Sequence, residues 1–474
     1  MTFALPLLTF AAAVGCRPLH GIDGPVAVAA AVRAVGLDSP SNGIRVSTAT
    51  HVLNMAYQSD RMYPPYLWSA RELRVAAEWA RGLLRVEQGS AQSSLAFLSD
   101  SARRAVLTSR GAILLPAGVG GALDERALDA WTVLADWRGA ADLRASEECL
   151  YRDYWRPVVE RRGPQGAERL FLDRQTNIPV KLERREPHYL WGDVLAEYVW
   201  SVWTPVRGSA ALAPGFAFRL VDGEVDEQRS YAGYRMVSPD SVGTLAIPPN
   251  AAEPPAAAGP AGPDTVRVGP TTFLLTSRGY RNVVTLQRDT VFVLDAQLSA
   301  ERARQDSSWI GRLFPGRHPV VLVVSDLAWP HIAGVRYWVA AGASVVSRRA
   351  SGEFLGKVVR RVWTLQPDLL ESRAARKRFR FTPVDERLDL AGGALQLRAI
   401  DGIGGEGALL AFIPGEQFLY AGDYIQGGGP ASFSAVYARD VAAAVRRNGL
   451  VPARFAAMHT PLTSWAELPR FTGP

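Results

Sequence analysis

Between Val320 and Gly334 the chain reads Val-Val-Leu-Val-Val-Ser-Asp-Leu-Ala-Trp-Pro-His-Ile-Ala-Gly. The opening run is branched and apolar, with no polar residue at alternate positions. It therefore suits a strand covered on both faces. Ser325 and Asp326 break the run with a polar turn, and a helix is expected from Gly334 to Gly342. A buried strand that feeds a helix points to a layered α/β domain rather than a simple bundle.

The chain has 474 residues, more than one core normally serves, so two domains are expected. Pro248 to Pro263 is rich in Pro, Ala and Gly and has nothing to bury, so it reads as an extended linker. It places an amino-terminal domain over residues 25–247, a linker over 248–264 and a second domain over 265–474. Hydrophobic content of 48% and charged content of 21% suit a folded chain without long disordered tracts.

Net charge is +7, carried almost entirely by arginine, since Lys181, Lys357 and Lys377 are the only lysines. No basic stripe with interleaved aromatics appears, so nucleic acid is excluded as a partner. The dense run Arg373 to Arg380 reads as a solvated face or a contact for an anionic surface. Residues 1–20 read as an export signal, with a short apolar core before Ala13-Val14-Gly15-Cys16. That tetrapeptide resembles a bacterial lipobox, which implies lipidation of Cys16 and membrane anchoring. The expected location is the periplasm, free or as a membrane-anchored lipoprotein. A lipidated Cys16 would leave Cys149 as a lone, semi-buried hydrophobe without disulfide or thiol–metal chemistry.

In the first domain, Ser69-Ala70-Arg71-Glu72 reads as a capping box that opens a helix carrying Leu73, Ala76, Ala77, Leu83 and Leu84 on one face. A second helix is expected over Glu125 to Glu148. From Arg169 the period becomes two, and Arg174-Gln175-Thr176-Asn177 reads as a turn between paired strands. Further strands are expected over Leu195 to Val202, Ala217 to Val221 and Tyr231 to Val237. Trp191, Trp200 and Trp203 suit core or sheet-face packing. Strand, Asp-x-x-Thr turn, strand with Pro and then Gly192-Asp193 resembles the antiparallel half-barrels of bacterial lipoprotein carriers, which implies an apolar ligand such as lipid. The class is α+β with an antiparallel sheet.

In the second domain, Val283 to Leu286 and Thr290 to Asp295 read as a hairpin, followed by a helix near Ser299 to Gln305, the strand at Val320 to Val324 and another at Ser344 to Val346. Gly402-Ile403-Gly404-Gly405-Glu406-Gly407 fits Gly-x-Gly-x-x-Gly. It leads into the apolar strand Ala408 to Pro414 rather than a helix, so it cannot hold a dinucleotide pyrophosphate. No Gly-x-Ser-x-Gly elbow is present, and serine-hydrolase chemistry is set aside.

The Ser325–Gly334 stretch resembles the metal loop of the metallo-β-lactamase superfamily, usually Thr-His-x-His-x-Asp-His-x-Gly-Gly. Ser325 takes the threonine position, and His331 and Gly334 match. Asp326, Ala328 and Pro330 stand where two histidines and the aspartate are usual. The resemblance implies an αββα sandwich for residues 265–474. It matches Asn282 to a strand asparagine, Asp295 to a loop-bracing carboxylate, Asp423 in Gly422-Asp423 to the bridging carboxylate, and His459 to the last histidine. Gly404 takes the place of another. One metal position therefore has Asp326, Ala328 and Gly404, and it is lost. The other retains His331, Asp423 and His459, which could hold one zinc or iron ion. The expected function is a non-catalytic or strongly altered hydrolase with no cofactor and an unknown small molecule as partner. The alternatives are a single-metal hydrolase, with Asp326 and His331 as its catalytic residues, and a carrier of an apolar ligand through the first domain.

Overall fold

A computed structural model describes residues 15–38, 43–54, 68–89, 95–109, 111–115, 125–253, 263–277, 279–372, 378–402, 407–426 and 434–472. The export segment before Gly15, Gly404 and much of the linker and of the Arg373–Arg380 run lie outside the described residues. The chain divides into two compact units. One contains residues 68–188 and 193–257 with the chain before Asn54; the other contains residues 258–474 and the short turn Tyr189–Gly192.

The first unit is built on one large sheet whose named pairings are antiparallel throughout, apart from a two-residue parallel pairing of Val206 and Arg207 with Tyr234 and Arg235. That short strand, Tyr234–Val237, also pairs with Ile44–Asn54, so the sheet closes on itself locally. The helix Gly24–Ala34 and the short helices Glu125–Leu128 and Ala130–Trp137 share one core with a sheet face that includes Leu73, Val75, Ala77, Leu170, Leu182, Tyr198 and Trp200. The α+β expectation holds.

Two helix expectations are corrected. Residues Trp68–Glu78 form a strand paired with Ile44–Asn54, and Leu83 and Leu84 begin the next strand, Leu83–Gln88. Leu73 and Ala77 satisfy both periods, but Val75 is buried with them, which only a period of two explains. Glu72 does not cap a helix; its carboxylate accepts from the Thr50 hydroxyl of the neighbouring strand, at 3.0 Å. The expected helix over Glu125–Glu148 stops at Trp137, and Arg144–Tyr151 is a strand. Asp129 starts the second short helix by accepting from the Trp131 and Thr132 amides.

The expected turn at Arg174–Asn177 is present between the strands Gly166–Leu172 and Pro179–His188, and Asp173 closes it by accepting from the Gln175 and Thr176 amides. Trp200 sits in the core with its indole N–H on the Leu128 carbonyl, at 3.1 Å, and Trp203 packs against the same core. Cys149 is not a lone thiol. It is fully buried and joined to Cys16 in a disulfide across 133 residues, a pairing that the fold creates and local sequence does not announce.

The second unit contains a seven-stranded and a six-stranded sheet. The first runs in order Asp264–Arg267, Thr272–Ser277, Tyr280–Gln287, Thr290–Leu294, Val320–Val323, Ser344–Arg348 and Phe381–Val384. Its later pairings are parallel, as the uninterrupted apolar strand at Val320 requires. The second sheet runs from Arg387–Leu390 through Leu395–Ala399, Leu409–Ile413, Phe418–Tyr420 and Arg454–Ala456 to Thr463–Ser464. One core joins their inner faces, with Val283, Phe292, Leu294, Val323 and Val346 meeting Leu397, Ala411, Phe418, Tyr420 and Ala456.

The helix Ser434–Arg447 covers the outside of the six-stranded sheet through Ala438, Val441 and Val445. Helices Ala300–Leu313, Val335–Ala340 and Ser351–Arg360 accompany the other sheet, whose outward Val284, Val293, Leu322 and Val345 are also buried. The result is the αββα sandwich. Ser299 caps the first of these helices by accepting from the Arg302 amide. Gly334 lies so close to it that a Cβ would stand 2.9 Å from the Ala303 methyl and 3.1 Å from the Ala296 carbonyl.

Candidate functional site

Four strands of the sandwich end near one another, and their loops carry the candidate residues. Asp295 follows Thr290–Leu294 with φ 72, a left-handed backbone that aspartate tolerates better than most residues. Its buried carboxylate accepts four hydrogen bonds. Oδ1 accepts from the Ser325 amide at 2.8 Å. Oδ2 accepts from the Ser325 hydroxyl at 2.7 Å, from His331 Nδ1 at 2.8 Å and from the Tyr420 hydroxyl at 2.8 Å. One side chain thus ties the ends of three strands together, and its acceptor capacity is filled.

His331 lies on the short helix Trp329–Ile332 and is completely buried. Burial pulls its imidazole down, but Asp295 and then Asp326 outweigh this, and its pKa is pushed up to about 9. Nε2 has no hydrogen-bond partner. Asp326 is buried as well, and burial raises its pKa against the pull of His331. Its Oδ1 accepts from the Ala328 amide at 2.7 Å, closing the turn beneath the helix.

Asp423 follows Phe418–Tyr420 after Gly422, whose φ of 54 suits glycine, and where a Cβ would stand 2.6 Å from Ser325 Oγ. Burial raises the Asp423 pKa to about 7, against the opposing charge of His331. Asp423 Oδ1 is 3.4 Å from His459 Nε2, an ion-pair distance, and accepts no hydrogen bond. His459 is half-buried, packs edge-on against Tyr280 with ring centroids 4.9 Å apart, and has its pKa lowered by burial and then by His331 and Arg281.

The sequence-derived residues Asp326, His331, Asp423 and His459 therefore share one electrostatic neighbourhood. They do not close around a common point. Among the described residues, the only three His, Cys, Asp or Glu donors within 4.8 Å of one another are Cys16, Glu147 and Cys149, far along the chain in the other unit. Ala328 and Pro330 offer no donor, and Asp295 is saturated. This donor set does not fit a two-metal centre.

Asn282, matched to a strand asparagine, belongs to a buried network under the helix Ala300–Leu313. It donates to Asp306 at 2.9 Å and accepts from Arg302 at 2.9 Å, while Arg302 also pairs with Asp306 at 2.7 Å. Sequence reasoning missed Tyr420 and Gln297. Tyr420 also donates to the Arg281 carbonyl at 3.2 Å, and Gln297 donates to the same oxygen through its side-chain amide. A tyrosine ending an apolar strand just before Gly-Asp was the available signal for the first; Gln297 gave none.

No protein-family model and no curated protein matches the chain. Solved structures with similar folds include the metallo-β-lactamase DIM-1, at 14% identity and TM-score 0.34, over 44% of this chain and 95% of that one. Another is a metallo-β-lactamase from Erythrobacter litoralis, at 14% identity and TM-score 0.34, over 45% of this chain and 95% of that one. A third is the inverting sec-alkylsulfatase Pisa1 from Pseudomonas sp., at 15% identity and TM-score 0.32, over 44% of this chain and 40% of that one. These likenesses say nothing about the site. The αββα sandwich of the second unit rests on its own two facing sheets and their outer helices.

Proposed function

We propose that this is an exported bacterial protein of the metallo-β-lactamase fold that does not work as a metallohydrolase. Its cleft serves to bind an unknown small molecule or to support assembly. The supporting observation is the donor set: Ala328 and Pro330 offer no ligand atom, Asp326 is engaged by the Ala328 amide, and Asp295 is filled by Ser325, His331 and Tyr420. A histidine that is paired with an aspartate and buried needs no metal to be satisfied at Nδ1.

One observation favours a second reading, a single zinc or iron ion on His331, Asp423 and His459. His331 Nε2 and Asp423 Oδ1 are both buried without a hydrogen-bond partner. These residues would have to move together to share an ion, and no reaction step is assigned to it. The carrier reading finds less support. The helix-facing side of the first sheet is filled by Trp131, Trp137 and Trp200, and by the ion pairs of Arg219 with Glu186 and of Arg229 with Glu227.

Elemental analysis of the full chain, purified without chelators, separates the readings. Folded, metal-free protein is expected. One equivalent of metal, lost in His459→Ala, overturns the proposal. Lipid co-purifying with the chain, detected by mass spectrometry, would revive the carrier reading.

A further inference from the structure

In the first unit, the strand Cys16–Pro18 lies at the edge of the large sheet, in register with Arg144–Tyr151 so that Cys16 faces Cys149. The two cysteines of this disulfide differ in exposure: Cys149 is fully buried, whereas Cys16 is an exposed residue. One guanidinium reaches both. Arg169 Nη2 is 3.0 Å from Cys149 Sγ and 3.5 Å from Cys16 Sγ, 2.5 Å from Glu147 Oε1, and the Arg169 Nη1 is 3.1 Å from Glu183 Oε2. The carboxylates hold the guanidinium in place and temper its charge.

We propose that Cys16–Cys149 is a thiol-exchange site. A small thiol, as its thiolate, attacks the exposed Cys16 Sγ. A sulfur–sulfur bond forms to Cys16 while the Cys16–Cys149 bond breaks, and the electron pair leaves on Cys149 Sγ beneath Arg169. Nearby positive charge stabilises a thiolate, and a lower leaving-group pKa speeds exchange. A second thiolate then attacks the mixed disulfide. It releases Cys16 as a thiol and leaves the two small thiols joined, so two electrons pass from them to the cystine.

Exchange would loosen the edge strand. It would still be held by its pairing with Arg144–Tyr151 and by contacts that include the Arg17–Glu148 ion pair at 2.6 Å, the Arg17 guanidinium over Trp155 at 4.0 Å, and the Leu150 amide on the Gly15 carbonyl at 2.9 Å. The same sulfur is the one a lipobox would lipidate. Cys16 Sγ has a single valence to give, so a thioether and this disulfide exclude each other.

The test is to treat the oxidised full chain with glutathione, quench at intervals with N-ethylmaleimide, and map adducts by mass spectrometry. Glutathione is expected on Cys16 and maleimide on Cys149. Arg169→Gln should slow exchange by roughly threefold or more, because the leaving Cys149 sulfur loses the cation that lowers its pKa. Arg169→Lys, which keeps the charge, should restore the rate to within about twofold of the native chain. Glutathione on Cys149, an unchanged rate in Arg169→Gln, equal slowing by Lys and Gln, or a lipid thioether on Cys16 would each overturn the proposal.

Discussion

Removing the Asp295 carboxylate tests whether hydrogen bonds, rather than a metal, hold the cleft together. In Asp295→Ala four buried donors lose their acceptor: the Ser325 amide and hydroxyl, His331 Nδ1 and the Tyr420 hydroxyl. A buried donor left unpaired costs about 1–3 kcal/mol. Tyr420 retains the Arg281 carbonyl as a partner, and water entering the space vacated by the carboxylate can serve one or two of the others. That leaves one or two donors fully unpaired, or roughly 1–6 kcal/mol. The positive φ of Asp295 adds strain in the alanine variant, so Asp295→Gly should recover about 1 kcal/mol of the loss. Urea unfolding of the full chain, followed by tryptophan fluorescence with and without EDTA, reads both quantities. The expected result is a large shift of one transition in the variant and no EDTA effect in the native chain. A loss below about 1 kcal/mol, or a native transition that EDTA lowers as far as the substitution does, refutes the reasoning.

Three other outcomes follow from the same structure. Gly422→Ala combines a left-handed backbone with a Cβ placed 2.6 Å from Ser325 Oγ, so urea unfolding should show a loss of about 2–3 kcal/mol, and a neutral change would contradict the packing. Trp137→Ala removes a fully buried indole from the core of the first unit and should cost about 3–5 kcal/mol in that unit's transition alone, leaving the other unmoved. For Asp173, burial raises the pKa but is outweighed by the Thr176 amide and hydroxyl, the Gln175 amide and Arg156, so the carboxyl lies below its ordinary range. Its charged form therefore stabilises the fold at every pH above the unfolded-state pKa, and that contribution is lost as pH falls through the folded-state value. The stability difference between the native chain and Asp173→Asn should hold above about pH 5 and shrink as pH falls further, and a pH-independent difference would show that the charge is idle.

What the sequence made legible was local and repetitive. The apolar run before Ser325 announced a buried strand, and the hairpin from Tyr280–Gln287 to Thr290–Leu294 was visible as two apolar runs around the polar Gln287-Arg288-Asp289. The Gly-Asp pair at Gly422 was readable because a positive φ and a carboxylate leave a two-residue trace. The strand at Leu73 was misread because small apolar residues spaced by four fit both a helix and a strand; only pairing with Ile44–Asn54 decides. The partners of Asp295 were hidden for a different reason. Tyr420 lies 125 residues further on, and a hydrogen bond over that span has no local signature. The Cys16–Cys149 bond was obscured in the same way, and a plausible lipobox offered Cys16 another fate.

The structure also gives each departure from the metal-loop pattern a local task. Asp326 stands at a histidine position of the resembled motif and bonds the amide of Ala328 two residues on, so its carboxylate shapes the turn. Ala328 is the residue before a short helix, and Pro330 lies in that helix's first turn, where a missing amide hydrogen is harmless. His331 survives among them with a partner of its own. Its Nδ1 bond to Asp295 would persist with or without an ion on Nε2, and removing the imidazole would strip a donor from a buried carboxylate. Retention of His331 is therefore no argument for a metal, because the fold alone accounts for it. Asp423 and His459 carry more weight. They lie on different loops, stand 3.4 Å apart without an aligned hydrogen bond, and remain partly open to solvent. Neither is required by the Asp295 network, so if the cleft retains a function, these two side chains are where a ligand would meet it.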